Sequence, residues 1–348
     1  MEQMVREIHS YRDSSWADQP IETIYLGGGT PSRLSLEQLE IIFEALRAVF
    51  SLAPVEVTME VNPDDVSKSY LRGLQTLGID RLSMGVQSFQ PELLNFMNRA
   101  HNRKQAFRSI ELIQATGFRT YNVDLMYGFP GQTTESLLKD VVTFAEFGPP
   151  HLSAYALTIE SRTRLGKQVE MGRLEEPEDD RVGEMMRLVN VELGLAGLDQ
   201  YEVSNFSKPG HEAEHNHRYW EHIPYLGLGP AAHSFRWDDG AKSAMRWWNP
   251  RDLKAYLEAD DFEALQERES LSEKTLAEER IMLGLRTRKG INRTTLRQKY
   301  GYRLSDLQEE YVQKVAESGW LVDDGERFHC TPTGFARADA LAVAILKT

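Results

Sequence analysis

The sequence predicts an α/β fold built from parallel βα units, followed by a small module of helices and a hairpin. Short β-rich runs alternate with stretches in which apolar residues recur every three to four positions, the period of an α-helix. Alternation at this spacing gives parallel strands joined by helices, in either a doubly wound sheet or a barrel. After about Gly166 the pattern changes, which indicates a second structural region.

Five strands are predicted in the first half of the chain. They are Thr23–Leu26, Glu56–Val61, Arg81–Gly85, Thr120–Leu125 and His151–Leu157. The amphipathic stretches between them are Ser35–Phe50, Ser67–Leu77, Pro91–Met97, Arg103–Ala115 and Thr133–Phe147. Ser35 and Ser67 are suited to cap the helices that follow them. A helix at about Glu2–Arg12 precedes the first strand, whereas βα units ordinarily begin with a strand, so we expect one strand to be missing from the pattern.

The second half is predicted to be less regular. Glu175–Arg181 is an acidic loop, Arg181–Leu195 is a helix, and Tyr201–Trp248 is rich in aromatic residues and has no clear period. Three further helices are predicted at Ser272–Arg286, Arg293–Tyr300 and Ser305–Ser318. Two β runs follow, Trp320–Asp323 and Arg327–Cys330, with Asp324-Gly325 as their turn. Three helices and a hairpin in this order are typical of a winged-helix module.

Composition narrows the classes of function. The formal net charge of −13 argues against nucleic acid as a partner, because phosphate binding needs a surplus of Lys and Arg. Cys330 is the only cysteine, which excludes disulfides within the chain and any multi-cysteine metal site. No apolar run approaches the roughly 20 residues that cross a bilayer, and no signal peptide precedes the first helix. We therefore expect a cytoplasmic protein.

The first candidate site is the triple glycine in Tyr25-Leu26-Gly27-Gly28-Gly29-Thr30, where a strand enters a turn. Glycines allow positive φ and leave backbone groups open to a ligand, although a tight turn without a ligand remains an alternative. Polar residues also stand near the ends of successive strands, at Glu60, Gln87 and Asp124. Ligands of parallel α/β folds bind at those ends, but each residue could instead be an ordinary turn or cap residue.

Four phrases carry a family resemblance. They are Gly-Gly-Gly-Thr-Pro-Ser from Gly27, Glu-Val-Asn-Pro from Glu60, Leu-Ser-Met-Gly-Val-Gln-Ser-Phe from Leu82 and Asn-Val-Asp-Leu-Met-Tyr-Gly-Phe-Pro from Asn122. In this order they resemble the radical-SAM family of oxygen-independent coproporphyrinogen III oxidases and HemW-type heme chaperones. The resemblance implies a partial (β/α)6 barrel, its first strand missing here, with S-adenosylmethionine (SAM) and a [4Fe–4S] cluster at its mouth.

The resemblance also implies roles for single residues. Gly28, Gly29 and Thr30 would meet the methionine moiety of SAM. The rest of the cofactor would contact Glu60, Gln87, Arg99 and Asp124, with Asp124 as the ribose partner. Thr158 would offer backbone groups near the adenine.

One feature of the family does not occur in this sequence. Family members carry a C-x3-C-x2-C motif upstream of the triple glycine, whereas Cys330 lies in the predicted wing. Without three thiolates there is no site for the cluster, and without the cluster no electron to cleave SAM. We therefore assign no catalytic residue and no metal ligand, and expect the chain as given not to be catalytic. We expect a shortened sequence or a mis-assigned start codon rather than an evolved cluster-free protein.

A histidine-rich segment resembles the heme-chaperone branch through the pattern His215-Asn216-x-x-Tyr219-Trp220, and His233 follows it. Imidazoles beside Tyr and Trp could offer an axial ligand and flat apolar surfaces to a porphyrin, so His215 and His233 are the candidate heme ligands. The alternative is that these side chains only form hydrogen bonds and pack. A zinc site at His215, His217 and His222 is a weaker hypothesis, since no helical spacing supports it.

Together these observations predict a heme chaperone that binds heme and delivers it to hemoproteins. Its parts would be a radical-SAM core at residues 1–165, barrel completion and the histidine segment at 166–270, and a winged-helix-like domain at 271–348. The expected cofactor is SAM, the partners are recipient hemoproteins, and transient membrane association stays open. The alternatives are a coproporphyrinogen III oxidase that decarboxylates two propionates by SAM-derived radicals, and a degenerate paralogue that has lost its cofactor.

Overall fold

The structure is a computed structural model that describes residues 1–238 and 242–348. Its strands are β1 (Pro20–Leu26), β2 (Ser51–Val61), β3 (Arg81–Gln87), β4 (Thr120–Tyr127), β5 (His151–Ala156), β6 (Asp199–Gln200), β7 (Asn205–Ser207), β8 (His233–Trp237), β9 (Ala244–Trp248), β10 (Glu267–Leu271), β11 (Ile291–Asn292), β12 (Leu321–Asp323) and β13 (Arg327–Cys330).

The helices fall between and after these strands. They are α1 (Glu2–Ser10), α2 (Leu36–Val49), α3 (Lys68–Thr76), α4 (Pro91–Phe96), α5 (Arg103–Thr116), α6 (Thr134–Phe147), α7 (Arg164–Glu170), α8 (Asp179–Leu195), α9 (Glu214–Trp220), α10 (Leu253–Leu257), α11 (Phe262–Leu265), α12 (Glu273–Leu285), α13 (Arg293–Tyr300), α14 (Asp306–Glu317), α15 (Pro332–Phe335) and α16 (Ala338–Lys347). A 3-10 turn covers Pro31–Arg33.

The sheet that contains the first strands has the order β1-β2-β3-β4-β5-β7-β6. The pairs β2–β3, β3–β4 and β4–β5 are parallel, whereas β5–β7 and β6–β7 are antiparallel. This mostly parallel sheet with helical crossovers confirms the predicted α/β class. The predicted N-caps are also confirmed, since the Ser35 and Ser67 side chains accept from the backbone N–H groups of Gln38 and Tyr70.

The chain divides into two compact units, of which the second comprises Leu26–Arg33 and Thr58–Glu212. Its parallel strands bury apolar side chains on one face, including Met59, Leu82, Val123 and Leu152, each 0% exposed. Side chains alternate along a strand, so the neighbouring positions point to the other face. The register aligns polar residues there: Glu60 with Ser83, Ser83 with Asn122, and Asp124 with Ser153.

The first unit comprises Met1–Tyr25, Leu34–Val57 and Ala213–Thr348. It contains the packed helices α1 and α2, an antiparallel sheet of order β10-β9-β8, and a small sheet of order β11-β13-β12 beside helices α12, α13 and α14. The three helices and the β12–β13 hairpin occur where the sequence predicts a winged-helix module.

Several elements differ from the sequence prediction. Tyr201–Trp248 contains strands β7, β8 and β9 and helix α9, although it shows no clear period. Alternation is hidden in β8 and β9 because aromatic residues occur on both faces of that sheet, as Trp247 and Trp248 do. Asp179 and Asp180, predicted as loop, begin helix α8, and their carboxylates in its first turn interact favourably with the helix dipole. Helix α16 was not predicted.

Among residues 1–238 and 242–348, no helix has the length and apolarity needed to span a membrane.

Asp140 fixes the backbone that follows β3. Its carboxylate is fully buried and accepts hydrogen bonds from Ser88 Oγ at 2.6 Å, Phe89 N at 2.8 Å and Gln90 Nε2 at 3.1 Å. Burial outweighs these bonds and raises the pKa of Asp140. The carboxylate therefore holds the segment directly after Gln87 in one conformation.

We expect Asp140→Ala to lower the free energy of unfolding by about 2–3 kcal/mol, because it leaves a buried backbone N–H and a hydroxyl without their acceptor. Urea denaturation measures this. The matched control is Glu146→Ala, an exposed carboxylate on the same helix, which should change stability by less than about 0.5 kcal/mol. Equal losses in both variants would contradict the role of Asp140.

Candidate functional site

The glycine turn lies exposed between β1 and the 3-10 turn. Gly28 has φ +79°, in the left-handed region that favours glycine. A Cβ atom on Gly28 or Gly29 would meet no atom within 4 Å. Packing within the chain therefore gives no reason for glycine at Gly29, and the turn leaves open space for a ligand to approach its backbone.

The end of this turn is fixed by the loop that follows β2. Ser32 Oγ donates to Asp65 Oδ2 at 2.7 Å and accepts from Asn62 N at 3.2 Å. Arg33 adds an ion pair to Asp65 at 3.2 Å, although its side chain is largely exposed. These contacts attach the glycine turn to the carboxyl end of β2.

Asp124 lies half-buried on the polar face of the sheet. Asn122 Nδ2 donates to Asp124 Oδ1 at 2.7 Å, and Ser83 Oγ donates to Oδ2 at 3.3 Å. Desolvation is the largest cause that raises the pKa of Asp124 to about 7, with a hydrogen bond from Ser153 opposing it and the charge of Glu60 adding to it. The site thus holds a carboxyl that changes its charge near neutral pH.

Gln87 and Arg99 lie side by side above Gly85. A Cβ atom on Gly85 would be 3.1 Å from Gln87 Nε2 and 3.4 Å from Arg99 Nη2, so glycine makes room for both. Arg99 Nη2 donates to Asn62 Oδ1 at 2.9 Å and to the Gly85 carbonyl at 3.0 Å. Within residues 1–238 and 242–348, the buried Arg99 Nε has no hydrogen-bond partner. An unpaired buried donor is costly, so it is a candidate contact for a ligand acceptor.

The predicted site residues do not all meet. Asp124 lies within reach of the charge of Glu60, which raises its pKa. The side chains of Gln87 and Arg99 both lie next to Gly85. Gly28, Gly29 and Thr30 lie on the exposed turn, and Thr158 is exposed just after β5. None of the hydrogen bonds within the described ranges joins Thr158 to Asp124 or Arg99.

Sequence reasoning missed four polar residues that shape this region. They are Asn62, Ser83, Asn122 and Ser153. The first three stand inside the phrases that carry the family resemblance. Period-two alternation would have placed Ser83 and Asn122 on the face of Glu60 and Asp124.

The described residues, 1–238 and 242–348, do not supply the thiolate ligands of an iron–sulfur cluster. Cys330 is buried on β13, and burial raises the pKa of its thiol to about 12, which disfavours the thiolate that ligates metal. In the described part of the chain, no group of three or more His, Cys, Asp or Glu side chains could hold a metal ion. His215, His217 and His222 do not form such a group among the described residues.

His215 lies on α9. The backbone N–H groups of Glu214 and His215 at the start of this helix donate to the buried Glu56 carboxylate. Its Nδ1 pairs with Thr23 Oγ1 at 2.9 Å and its Nε2 with Tyr219 Oη at 2.9 Å. Its ring stacks on Tyr25, with centroids 5.1 Å apart. Desolvation lowers the pKa of His215 to about 4, so the imidazole is neutral at pH 7 with both nitrogens engaged.

His233 has a different environment on β8. It is exposed and stacks on Trp248, with ring centroids 5.5 Å apart and planes inclined by 24°. No described side chain forms a hydrogen bond with its ring. His233 therefore presents free imidazole nitrogens beside a flat aromatic surface, whereas His215 would have to give up a hydrogen bond to bind a metal.

Comparison with known proteins places the chain in a family. Residues 2–142 match the Radical SAM superfamily and residues 271–337 match the HemN C-terminal domain. The chain is 33% identical to the heme chaperone HemW of Lactococcus lactis, over 96% of this chain and 86% of the relative. The chain belongs to the HemW family of radical-SAM proteins. Over 90% of its length it is also 33% identical to HemW of Bacillus subtilis, and covers 82% of that relative.

The structural comparison agrees on the fold. The coproporphyrinogen III oxidase HemN of Escherichia coli superposes with a TM-score of 0.80, over 99% of this chain and 82% of that chain. At 22% identity this likeness concerns the fold alone. It confirms the radical-SAM fold with an added C-terminal domain.

Radical-SAM membership implies SAM and a [4Fe–4S] cluster, and the structure fits these two groups unequally. The open glycine turn, the unpaired Arg99 Nε and the Asp124 carboxyl suit a polar ligand such as SAM. The described residues contain no set of ligands for the cluster.

Asp124 should leave a pH signature in stability. Its pKa of about 7 in the folded protein exceeds the ordinary 3.8, so the folded state binds this proton more tightly than the unfolded chain. The Asp124 contribution to the free energy of unfolding therefore falls as pH rises from about 4 to about 7, by at most about 1.4 kcal/mol per pH unit. Asp124→Asn should remove this slope in urea titrations, whereas the exposed control Asp180→Asn should keep it. A slope unchanged in Asp124→Asn would contradict the raised pKa.

Proposed function

We propose that this chain is a heme chaperone that binds heme and delivers it to hemoproteins, on a radical-SAM fold that also binds SAM. The observation that carries the proposal is the 33% sequence identity between this chain and HemW heme chaperones, along 90% or more of its length. The oxidase alternative has less support, because the solved oxidase is similar in fold at only 22% identity. We place heme exchange in the cytoplasm, with apo-hemoproteins as recipients.

The histidine segment supports heme binding through two candidate ligands, His233 and His215. His233 offers a free imidazole and Trp248 a surface on which a porphyrin could stack. His215 could ligate iron only after Tyr219 Oη leaves its Nε2. Because metal binding needs a neutral imidazole, the lowered pKa of His215 would keep that ring competent down to mildly acidic pH.

The polar face of the second unit supports SAM binding. When bound, SAM supplies a sulfonium centre and an adenosyl group. Backbone groups of Gly28, Gly29 and Thr30 would meet its methionine end, and Asp124 would accept from the ribose hydroxyls. Further contacts would come from Glu60, Gln87, Arg99 and the backbone near Thr158. Since the described residues do not supply ligands for the cluster, we derive no reaction step through it.

Titration with heme tests the main proposal. We expect the Soret band of heme to shift on binding, with a stoichiometry of one heme for each ligating histidine. Heme-loaded protein should convert apomyoglobin to holomyoglobin faster than an equal amount of heme-loaded albumin does. His233→Ala should weaken heme binding about tenfold, the effect of losing about 1.4 kcal/mol. His329→Ala, a histidine of the β13 strand, is the matched control. Failure of the wild-type protein to bind heme would sink the proposal.

SAM binding tests the glycine turn separately. Gly29→Ala should reduce SAM affinity about tenfold in equilibrium dialysis, because its methyl group would occupy the space left for the ligand. Its melting temperature should not change, since that Cβ atom meets nothing within 4 Å. Gly194→Ala, on α8 and equally free of neighbours, is the control and should keep SAM affinity. Unchanged SAM affinity in Gly29→Ala would show that SAM does not approach this turn.

A further inference from the structure

A cavity of about 970 Å³ lies in the first unit. It is bounded by α1, by the segment from Tyr11 to Trp16, and by one face of the β10-β9-β8 sheet. This volume is at the upper end of the range found for small-molecule sites, about 300–1,000 Å³. None of the residues that carry the proposed heme or SAM contacts lines it.

The cavity has aromatic walls. Trp16, only 8% exposed, and Trp247 stand with ring centroids 6.3 Å apart, and Met245 and Phe262 extend the apolar surface. The strand register pairs Trp247 with Ser234 and with Arg268, so these side chains share the cavity face. His233 and Trp248 pair with each other and point to the opposite face. One flat ligand cannot contact both faces of this sheet.

Three arginines and four carboxylates line the cavity: Arg6, Arg236 and Arg268, with Asp238, Asp260, Asp261 and Glu263. Arg6 and Arg268 each have a carboxylate partner, Asp260 at 3.3 Å and Glu263 at 2.9 Å. Arg236 instead donates to Ser15 Oγ, and no carboxylate pairs with it in the described ranges. Asp238 also lines the cavity, where its carboxylate accepts from Ser243 Oγ. Arg236 is thus the guanidinium with the capacity to bind an anionic group.

His9 is the remaining polar group of interest. It is exposed on α1 and lines the cavity. Neither of its ring nitrogens has a hydrogen-bond partner among the described residues. An imidazole, a guanidinium and two indoles around one large cavity match a planar aromatic ring with acidic side chains.

We propose that this cavity is a second tetrapyrrole site, which holds the macrocycle against Trp247 and Trp16 and its carboxylates at Arg236, without needing a bond to iron. The choice of a tetrapyrrole among planar aromatic acids rests on the proposed function. The site lies on the opposite face of the sheet from His233, so the protein can hold a tetrapyrrole at each.

Metal-free protoporphyrin IX separates the two sites, because it has no iron for an imidazole to ligate. Binding to the full chain is measured by porphyrin fluorescence. Trp247→Ala and Arg236→Ala should each weaken it about tenfold, since truncated Trp and Arg anchors commonly cost at least that factor. The matched controls are Trp320→Ala, a half-buried tryptophan outside the lining, and Arg12→Ala, an exposed arginine outside the lining. Both should change affinity less than about twofold.

Arg236→Lys should retain most of the affinity, because it keeps the charge at a partly exposed position, and thermal melting verifies that each variant is folded. The inference is overturned if wild-type protein does not bind the metal-free porphyrin. It is also overturned if Trp247→Ala and Arg236→Ala bind like wild type, or if Trp320→Ala loses as much affinity as Trp247→Ala. Failure of the heme chaperone proposal would be seen differently, as the absence of a heme Soret shift and of heme transfer in the wild-type protein.

Discussion

The polar face of a parallel sheet is the constraint on which the candidate SAM site depends. Parallel strands are ordinarily covered on both faces by apolar packing, and a buried polar group must find a hydrogen-bond partner. Here Arg81, 1% exposed, donates to Asn122 Oδ1 at 3.2 Å and to the His211 carbonyl at 3.2 Å. Asn122 in turn donates to Asp124. The floor of the site is therefore arranged by the chain itself, before any ligand enters.

Local sequence features gave reliable predictions because local physics decides them. Ser35 caps α2 through a contact three residues away, and β2 to β5 follow from short runs whose side chains fit a buried sheet. Contacts between residues far apart in the sequence produce no such local pattern. Arg99 meets Asn62 across 37 positions, and Asp140 holds Ser88 across 52. Propensity cannot reveal pairs like these, since the fold brings them together.

The histidine segment also combines a local pattern that the sequence reveals with distant contacts that it does not reveal. The pattern from His215 to Trp220 identifies a segment with an unusual concentration of imidazole and aromatic groups. Whether an imidazole nitrogen is free depends on distant partners, such as Thr23, which lies 192 residues before His215. The aromatic-rich sheet of β8, β9 and β10 was not predicted, because large rings on both of its faces hide the alternation of apolar and polar residues. The cavity on one of those faces was consequently invisible in the sequence.

The environment of Cys330 has a practical consequence for studying this protein. The lone thiol is 2% exposed and resists forming the thiolate that reacts with maleimides and iodoacetamides. A cysteine introduced on the surface would therefore be modified first. Spin labels or fluorophores could be attached at chosen positions without first removing the native cysteine, and distances between labelled elements could be followed in the otherwise unaltered chain.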